Sequence, residues 1–215
     1  MLSLLGQLNE SNGLSILMYL VLMTFAFIAA IAIHEGNHAL VATALGDDTP
    51  RRYGRLSLNP FRHVDRVGLI VFVLAGFGWG WTPVNPQNLR PNPRMGNAIV
   101  ASAGPLANLG LAILLSIPLR LEVAMPEIVH LGLYLAVALN LLLFVFNLIP
   151  IPPLDGFTVL VGLLPRDLAA PLKRLEQYGF LLIMGLLFVP SMLHIDVIGI
   201  IFGPVSRIFG LPALR

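Results

Sequence analysis

The residues with the clearest chemical potential form the segment His34-Glu35-Gly36-Asn37-His38, an H-E-x-x-H sequence. Residues four apart in a helix share one face about one turn apart, so both imidazoles can bind the same metal ion. Glu35 stands beside the first histidine and can reach a water near that ion without binding the metal, as a general base must. The spacing predicts one catalytic Zn²⁺ per chain, with His34 and His38 as ligands and Glu35 as base.

A catalytic zinc ion usually has three protein ligands and one open position, so another ligand must come from elsewhere in the chain. Asp155 is the best candidate, because it follows three prolines that interrupt a helix and precedes Gly156, which permits close backbone approach. Its alternative role is to cap the short helix that is predicted to begin near Phe157. The need for a third ligand favours metal binding, so His34, His38 and Asp155 are the predicted zinc ligands.

The composition places these residues in a membrane. Of the 215 residues, 57% are hydrophobic and only 11% are charged, which is outside the range of soluble globular domains. Apolar segments long enough to cross a hydrocarbon core of ~30 Å recur along the chain. We expect one integral membrane domain over residues 1–215, with a catalytic core at about 14–165 and C-terminal helices at about 166–215. The lipid bilayer is its expected surroundings, and no nucleic-acid partner is expected.

Two carboxylates in these apolar surroundings, Glu35 and Asp155, require an explanation. A charged side chain at the bilayer centre costs at least ~2.5 kcal/mol on insertion scales, so a metal, a proton or a partner normally accompanies it. A transporter of metal ions or protons could also place His, Glu and Asp there and is the alternative function. Such transporters commonly have repeated halves, and the sequence has no second copy of either motif. A catalytically silent homologue would lack Glu35 or a ligand, and none is missing.

The surrounding pattern predicts an all-α polytopic membrane protein with about five to six transmembrane helices. Long helices are predicted at about 14–45, 95–119, 127–148 and 171–189, and shorter ones at 157–164 and 197–209. Alternating residues at 53–58 predict a strand or a small β hairpin, and the glycine- and tryptophan-rich segment 76–86 predicts a re-entrant loop.

The distribution of basic residues predicts the topology. All 13 Lys and Arg residues lie at or after Arg51, so the loop that follows the first helix is predicted to be cytoplasmic and the N-terminus to be outside. His34 lies toward the end of the first helix, which places the predicted active site toward the cytoplasmic side.

Several motifs together resemble the site-2 protease family of intramembrane zinc metalloproteases. The H-E-x-x-H segment is followed by N-x-x-P-x-x-x-x-D-G, which begins at Asn147. Further segments are similar to the compact subgroup without a PDZ domain: SLNP at 57–60, HVD at 63–65, GFGW at 76–79, PVNP at 83–86 and AGPLAN at 103–108. These segments cover roughly residues 30–165, and their conjunction is far more specific than any one of them.

The resemblance implies hydrolysis of peptide bonds within or near the transmembrane segments of membrane-protein substrates, in a prokaryotic plasma membrane. It implies the zinc ligands and the base named above, and it adds Asn147 as a catalytic residue that holds substrate or stabilises an oxyanion. Asn108 is a second candidate for that task, with an interhelical hydrogen bond as its alternative role. Asn140 is given a structural role. His63 lies in a basic loop, where a solvated or ion-paired histidine is expected.

Overall fold

The computed structural model describes residues 13–193 and 196–209, and most of these residues are helical. The helices are α1 (Gly13–Ala44), α2 (Thr49–Arg52), α3 (Arg66–Ala75), α4 (Pro93–Arg120), α5 (Glu127–Asn147), α6 (Asp155–Leu163), α7 (Arg166–Lys173), α8 (Gly179–Met192) and α9 (Val197–Ile208). Short 3₁₀ turns lie at Pro60–Arg62, Pro86–Asn88 and Arg174–Tyr178. The predicted all-α class is therefore confirmed.

Among the residues that the structure describes, three helices are long and apolar enough to cross a membrane, namely α1, α4 and α5. Helices α3, α6 and α8 have 10, 9 and 14 residues. At 1.5 Å per residue these lengths fall short of a hydrocarbon core of ~30 Å. The predicted count of five to six spans is too high for the described residues, partly because the helix expected at 171–189 is divided by the 3₁₀ turn Arg174–Tyr178.

No β-strand occurs in the residues that the structure describes, and the strand or hairpin predicted near 53–58 is not found. The one β pairing described is an isolated antiparallel bridge between Val64 and Gly80. Gly54 has a φ of 68°, a left-handed conformation that interrupts extended backbone. The side chain of Asn59 then accepts a hydrogen bond from the Phe61 N–H at 3.0 Å and begins a 3₁₀ turn. Local turn chemistry therefore overrides the alternating pattern.

Helix α4 is the centre of the bundle and packs against α1, α5 and α6. Asn92 begins it by accepting the Met95 N–H at 2.9 Å, and Pro93 occupies the first turn, where a missing N–H costs nothing. Small residues at the contacts, such as Ala30 on α1 and Ala112 on α4, are fully buried. Close helix approach of this kind suits a membrane bundle, in which packing rather than hydrophobic burial holds helices together.

The segment between α3 and α4 runs along α1, and we call residues 80–90 the crossing loop. At one end the Thr82 hydroxyl donates to the Glu35 carbonyl oxygen at 3.0 Å. At the other end the Arg90 N–H donates to the Leu45 carbonyl oxygen at 3.0 Å. Two anchors, eight residues apart in the loop, therefore hold it against the helix that carries the H-E-x-x-H motif.

Candidate metal centre

Three predicted ligands converge between α1 and α6. His34 and His38 are buried on one face of α1, and their ring centroids are 4.6 Å apart. Asp155 is the first residue of α6, and its Oδ2 lies 3.1 Å from His34 Nε2 and 3.3 Å from His38 Nε2. The ligand atoms of the three residues all lie within 4.8 Å of one another. The structure therefore brings together the set that the sequence predicts.

The start of α6 explains why Asp155 faces the histidines. Leu154 occupies the cap position, and no side chain caps this helix, so the capping role considered for Asp155 is wrong. At Gly156 a Cβ atom would lie 2.7 Å from the Ile149 carbonyl oxygen and closer still to Leu148. Only glycine lets α6 begin this close to the end of α5, which carries the carboxylate back toward α1.

Hydrogen bonds on the far side of each imidazole determine which nitrogen faces the cluster. His34 Nδ1 lies 2.6 Å from Asn108 Oδ1, and His38 Nδ1 lies 2.7 Å from the Val100 carbonyl oxygen. Both partners are acceptors, so both Nδ1 atoms carry hydrogen in the neutral rings and both Nε2 atoms present lone pairs. Asp155 Oδ2 is buried, and no described residue donates a hydrogen bond to it.

This donor set fits a zinc ion. Two imidazole lone pairs and a carboxylate oxygen facing one another repel unless a metal ion or a proton lies between them. Donors ~2.0–2.1 Å from zinc in tetrahedral geometry are about 3.3 Å apart, close to the observed 3.1 and 3.3 Å. Gly104 on α4 leaves the necessary room, because a Cβ atom there would lie 2.7 Å from His34 Nε2. His34, His38 and Asp155 can therefore hold the metal.

The predicted base, Glu35, is buried, with 8% of its surface exposed, and lies where the crossing loop meets α1. A Cβ atom on Gly80 would be 2.8 Å from Glu35 Oε1 and 2.7 Å from Ile31 Cγ2. Thr82 bonds the Glu35 backbone. The loop therefore shields the carboxylate from solvent and limits its rotamers.

The side chain of Asn147 is hydrogen-bonded within its own helix. It lies in the last turn of α5, half-buried, and its amide donates to the Leu143 carbonyl oxygen at 2.9 Å. Among the described residues, no hydrogen bond joins Asn147 to the three ligands.

Two asparagines behind the ligands have a larger part than the sequence suggested. Asn108 and Asn140 are 0% and 1% exposed, and Asn108 contacts His34 directly. Asn108 thus takes the interhelical role that was its alternative. The sequence signal for Asn108 was an amide side chain in an apolar helix, but its partner His34 could not be inferred from spacing.

His63 is also placed differently from the prediction. It is only 2% exposed, and its Nε2 lies 2.8 Å from the Ser57 carbonyl oxygen, so the expectation of a solvated or ion-paired histidine is wrong. A Cβ atom on Gly36 would be 3.6 Å from its ring, which places His63 beside the motif helix. It is not one of the clustered ligands.

Comparison with curated proteins decides the family. YwhC of Bacillus subtilis (strain 168), described as a candidate zinc metalloprotease, is 39% identical over 186 residues, which cover 82% of this chain and 83% of YwhC. This chain belongs to the site-2 protease family. Two further relatives, both described as candidate zinc metalloproteases, are named Rip2. The Rip2 of Mycolicibacterium smegmatis is 33% identical over 181 residues, with 80% of this chain and 68% of that protein covered.

The Rip2 of Mycobacterium tuberculosis (strain H37Rv) is 29% identical over 200 residues, with 89% of this chain and 74% of that protein covered. No protein-family model and no solved structure matches the chain. Together with the three apolar helices, membership of the site-2 protease family makes this chain a membrane protein.

Proposed function

We propose that this site-2 protease hydrolyses peptide bonds within or near the transmembrane segments of membrane-protein substrates. Its relatives support zinc-dependent proteolysis. The observation that carries the proposal is the convergence of His34, His38 and Asp155, with carboxylate to imidazole distances of 3.1 and 3.3 Å. The two histidines lie on α1, a helix long enough to span the bilayer, so the scissile bond is expected at membrane depth.

The three ligands would hold a zinc ion, which when bound acts as a Lewis acid that activates a water and stabilises negative charge on the peptide carbonyl oxygen. Glu35 accepts the proton of the attacking water as the new C–O bond forms. It then gives the proton to the leaving nitrogen as the C–N bond breaks. Glu35 is a carboxylate before and after the reaction, so the proton balance closes and no other cofactor is needed.

A substrate helix must unwind before its carbonyl groups become accessible. The segment from Trp81 to Asn85 has no regular secondary structure and follows the Val64–Gly80 bridge directly, and 52% of the Trp81 surface is exposed. The backbone at 82–86 can pair with the unwound segment by β-augmentation, beside Glu35. Asn147 would act on the same substrate only after releasing its bond to Leu143, and its role remains a prediction.

We also propose a multi-pass arrangement in a prokaryotic plasma membrane, with the active site toward the cytoplasmic side. Five arginines follow α1, and the relatives are bacterial, which supports this arrangement.

Helices α1, α4 and α6 all contribute to the metal centre, which supports a single domain over residues 1–215 with its catalytic core at about 14–165. Segment 76–86 is proposed to enter the membrane from that side. The transporter alternative loses its support because the chain belongs to a protease family.

The test is zinc stoichiometry together with cleavage of a model single-span substrate in detergent. Glu35→Gln should keep zinc and lower the cleavage rate at least ~100-fold, the usual contribution of a general base. Asp155→Asn should weaken zinc retention. Asp167→Asn is the matched control, because Asp167 also lies in the first turn of a short helix but is exposed. Wild-type cleavage by the Glu35 variant, or a folded wild-type protein without zinc, would contradict the proposal.

A further inference from the structure

A continuous chain of buried side-chain hydrogen bonds runs from His34 across three helices. Asn108 on α4 accepts from His34 Nδ1 at 2.6 Å. The Asn108 amide nitrogen donates to the Ala30 carbonyl oxygen on α1 at 3.0 Å and to Asn140 Oδ1 on α5 at 2.8 Å. The Asn140 amide nitrogen donates to the Ala136 carbonyl oxygen at 2.8 Å. Each asparagine therefore has a fixed amide orientation.

This orientation determines which atom of the Asn108 amide faces His34. Both amide hydrogens of Asn108 are used, one by Ala30 and the other by Asn140, so the oxygen is the atom that faces His34. An acceptor at that position keeps the hydrogen on Nδ1 and leaves the Nε2 lone pair directed at the cluster. A reversed amide would present N–H groups and favour the tautomer with hydrogen on Nε2. That hydrogen would bond to Asp155 Oδ2, only 3.1 Å away, and would close the site to a metal ion.

We propose that Asn108 and Asn140 are positioning residues that select the metal-binding tautomer of His34, and that α5 acts on the metal centre through them. The inference rests on the proposed zinc site and adds two residues that touch neither metal nor substrate. The tautomer of His38 does not depend on a side chain, because its Nδ1 donates to a backbone carbonyl oxygen, which cannot exchange with a donor as an amide group can. His34 is therefore the ligand whose tautomer depends on side chains.

The effect on metal binding should be large for Asn108 and smaller for Asn140. Loss of a partner that orients a metal-bound histidine typically costs about 10–100-fold in metal affinity. Asn108→Leu removes the acceptor itself. Asn140→Leu leaves the acceptor but frees the amide of Asn108 to turn, so a smaller loss in the same direction is expected.

The Asn140→Asp variant separates the hydrogen-bonding role of Asn140 from its role in packing. An aspartate keeps an oxygen to accept from Asn108 and loses the amide N–H that donates to Ala136. It should therefore restore metal affinity relative to Asn140→Leu. Ser116→Ala is the matched control, since Ser116 is a buried polar residue of α4 whose hydroxyl donates to the Ile113 carbonyl oxygen of the same helix.

The experiment measures zinc affinity by competition with a chromophoric chelator, and the visible absorption spectrum of the Co²⁺-substituted protein, for the five purified proteins in detergent. Thermal unfolding of the metal-free forms reports on folding without the metal. We expect wild-type behaviour for Ser116→Ala, near wild-type affinity for Asn140→Asp, and weakened affinity with an altered cobalt spectrum for Asn108→Leu and Asn140→Leu.

Wild-type affinity and an unchanged cobalt spectrum in Asn108→Leu would overturn the inference and leave the proposed protease intact. If Asn108→Leu does not fold, the zinc affinities of Asn140→Leu and Asn140→Asp are compared instead. Equal affinities of these two variants would overturn the inference. Absence of zinc from the wild-type protein would instead overturn the proposed function on which the inference rests.

Discussion

The backbone of Gly104 forms a wall of the metal centre beside His34: a methyl group at Gly104 would lie 2.7 Å from His34 Nε2 and even closer to His38 Nε2. Ordinary contacts between such atoms are at least about 3.4 Å. The absence of a side chain therefore creates the space between the two imidazoles. A small residue in a membrane helix usually permits close helix packing, but this one also gives a metal ion room.

Replacement of Gly104 by alanine should therefore weaken metal binding more than it lowers stability. The added methyl group would lie within 2.7 Å of both Nε2 atoms, and we expect zinc affinity to fall by at least ~10-fold. Alanine also favours a helix over glycine by about 0.8–1.0 kcal/mol, which opposes the cost of crowding. The measurement is zinc retained after dialysis, together with the thermal unfolding temperature of the metal-free protein.

Gly110→Ala is the control for this prediction. Gly110 lies on the same helix, and a Cβ atom there would meet no atom within 4 Å. It should bind zinc as the wild type does and be slightly more stable. Equal zinc retention by the Gly104 and Gly110 variants would show that the ion does not occupy this space.

Gly80→Ala should separate catalysis from metal binding. A Cβ atom there would be 2.8 Å from Glu35 Oε1, so either the carboxylate or the crossing loop must move. Displacement of a reacting group by ~1 Å can cost about 100-fold in rate, and we expect a loss of that order in kcat with zinc content unchanged. Gly132→Ala serves as control, because its methyl group would make an ordinary 3.6 Å contact with Leu22. A normal rate in Gly80→Ala would show that Glu35 tolerates the displacement.

The sequence predicts the ligands because their geometry is partly local. The spacing of His34 and His38 puts them on one helix face, and the chemistry of zinc then requires a third ligand, which singled out Asp155. Partners such as His34 and Asn108 are 74 residues apart and meet only through helix packing. Spacing carries no information about such pairs.

The misplaced elements have local physical causes. The 53–58 pattern alternates as a strand does, but Gly54 turns the chain before a strand can form. The helix expected at 171–189 breaks at a charged segment that includes Arg174 and Glu176. Burial of His63 depends on the fold of a loop that has no helical or strand period, so composition suggested solvent instead.

Asp47 fastens the crossing loop to the end of α1. Its carboxylate accepts hydrogen bonds from the Thr49 N–H at 3.1 Å, the Thr49 hydroxyl at 2.6 Å, the Asn85 N–H at 2.7 Å and the Asn88 amide at 3.0 Å. Burial alone would raise the pKa of Asp47, but hydrogen bonds from Thr49, Asn85 and Asn88 outweigh it and hold the pKa below its ordinary value. The ionised form is therefore the one that the fold stabilises.

Stability should depend on pH through this carboxylate. A pKa lowered by folding means that the contribution of Asp47 is complete above the unfolded pKa of about 3.9 and is lost as the pH falls through the folded value. In Asp47→Asn an amide N–H group faces the Asn85 N–H, and an unpaired buried donor costs about 1–3 kcal/mol. The variant should melt below the wild type at pH 7, and the difference in Tm should shrink below about pH 4.

The same argument requires an exposed carboxylate nearby to behave differently. Asp48 is mostly in solvent, and its pair with Arg51 at 3.4 Å is a surface ion pair worth about 0–1 kcal/mol. Asp48→Asn should therefore leave Tm nearly unchanged at pH 7 and at about pH 3.5. If the Tm difference between the wild type and Asp47→Asn stayed constant from pH 7 to pH 3.5, the stabilisation would come from packing and not from the charge, and the crossing loop would be held without it.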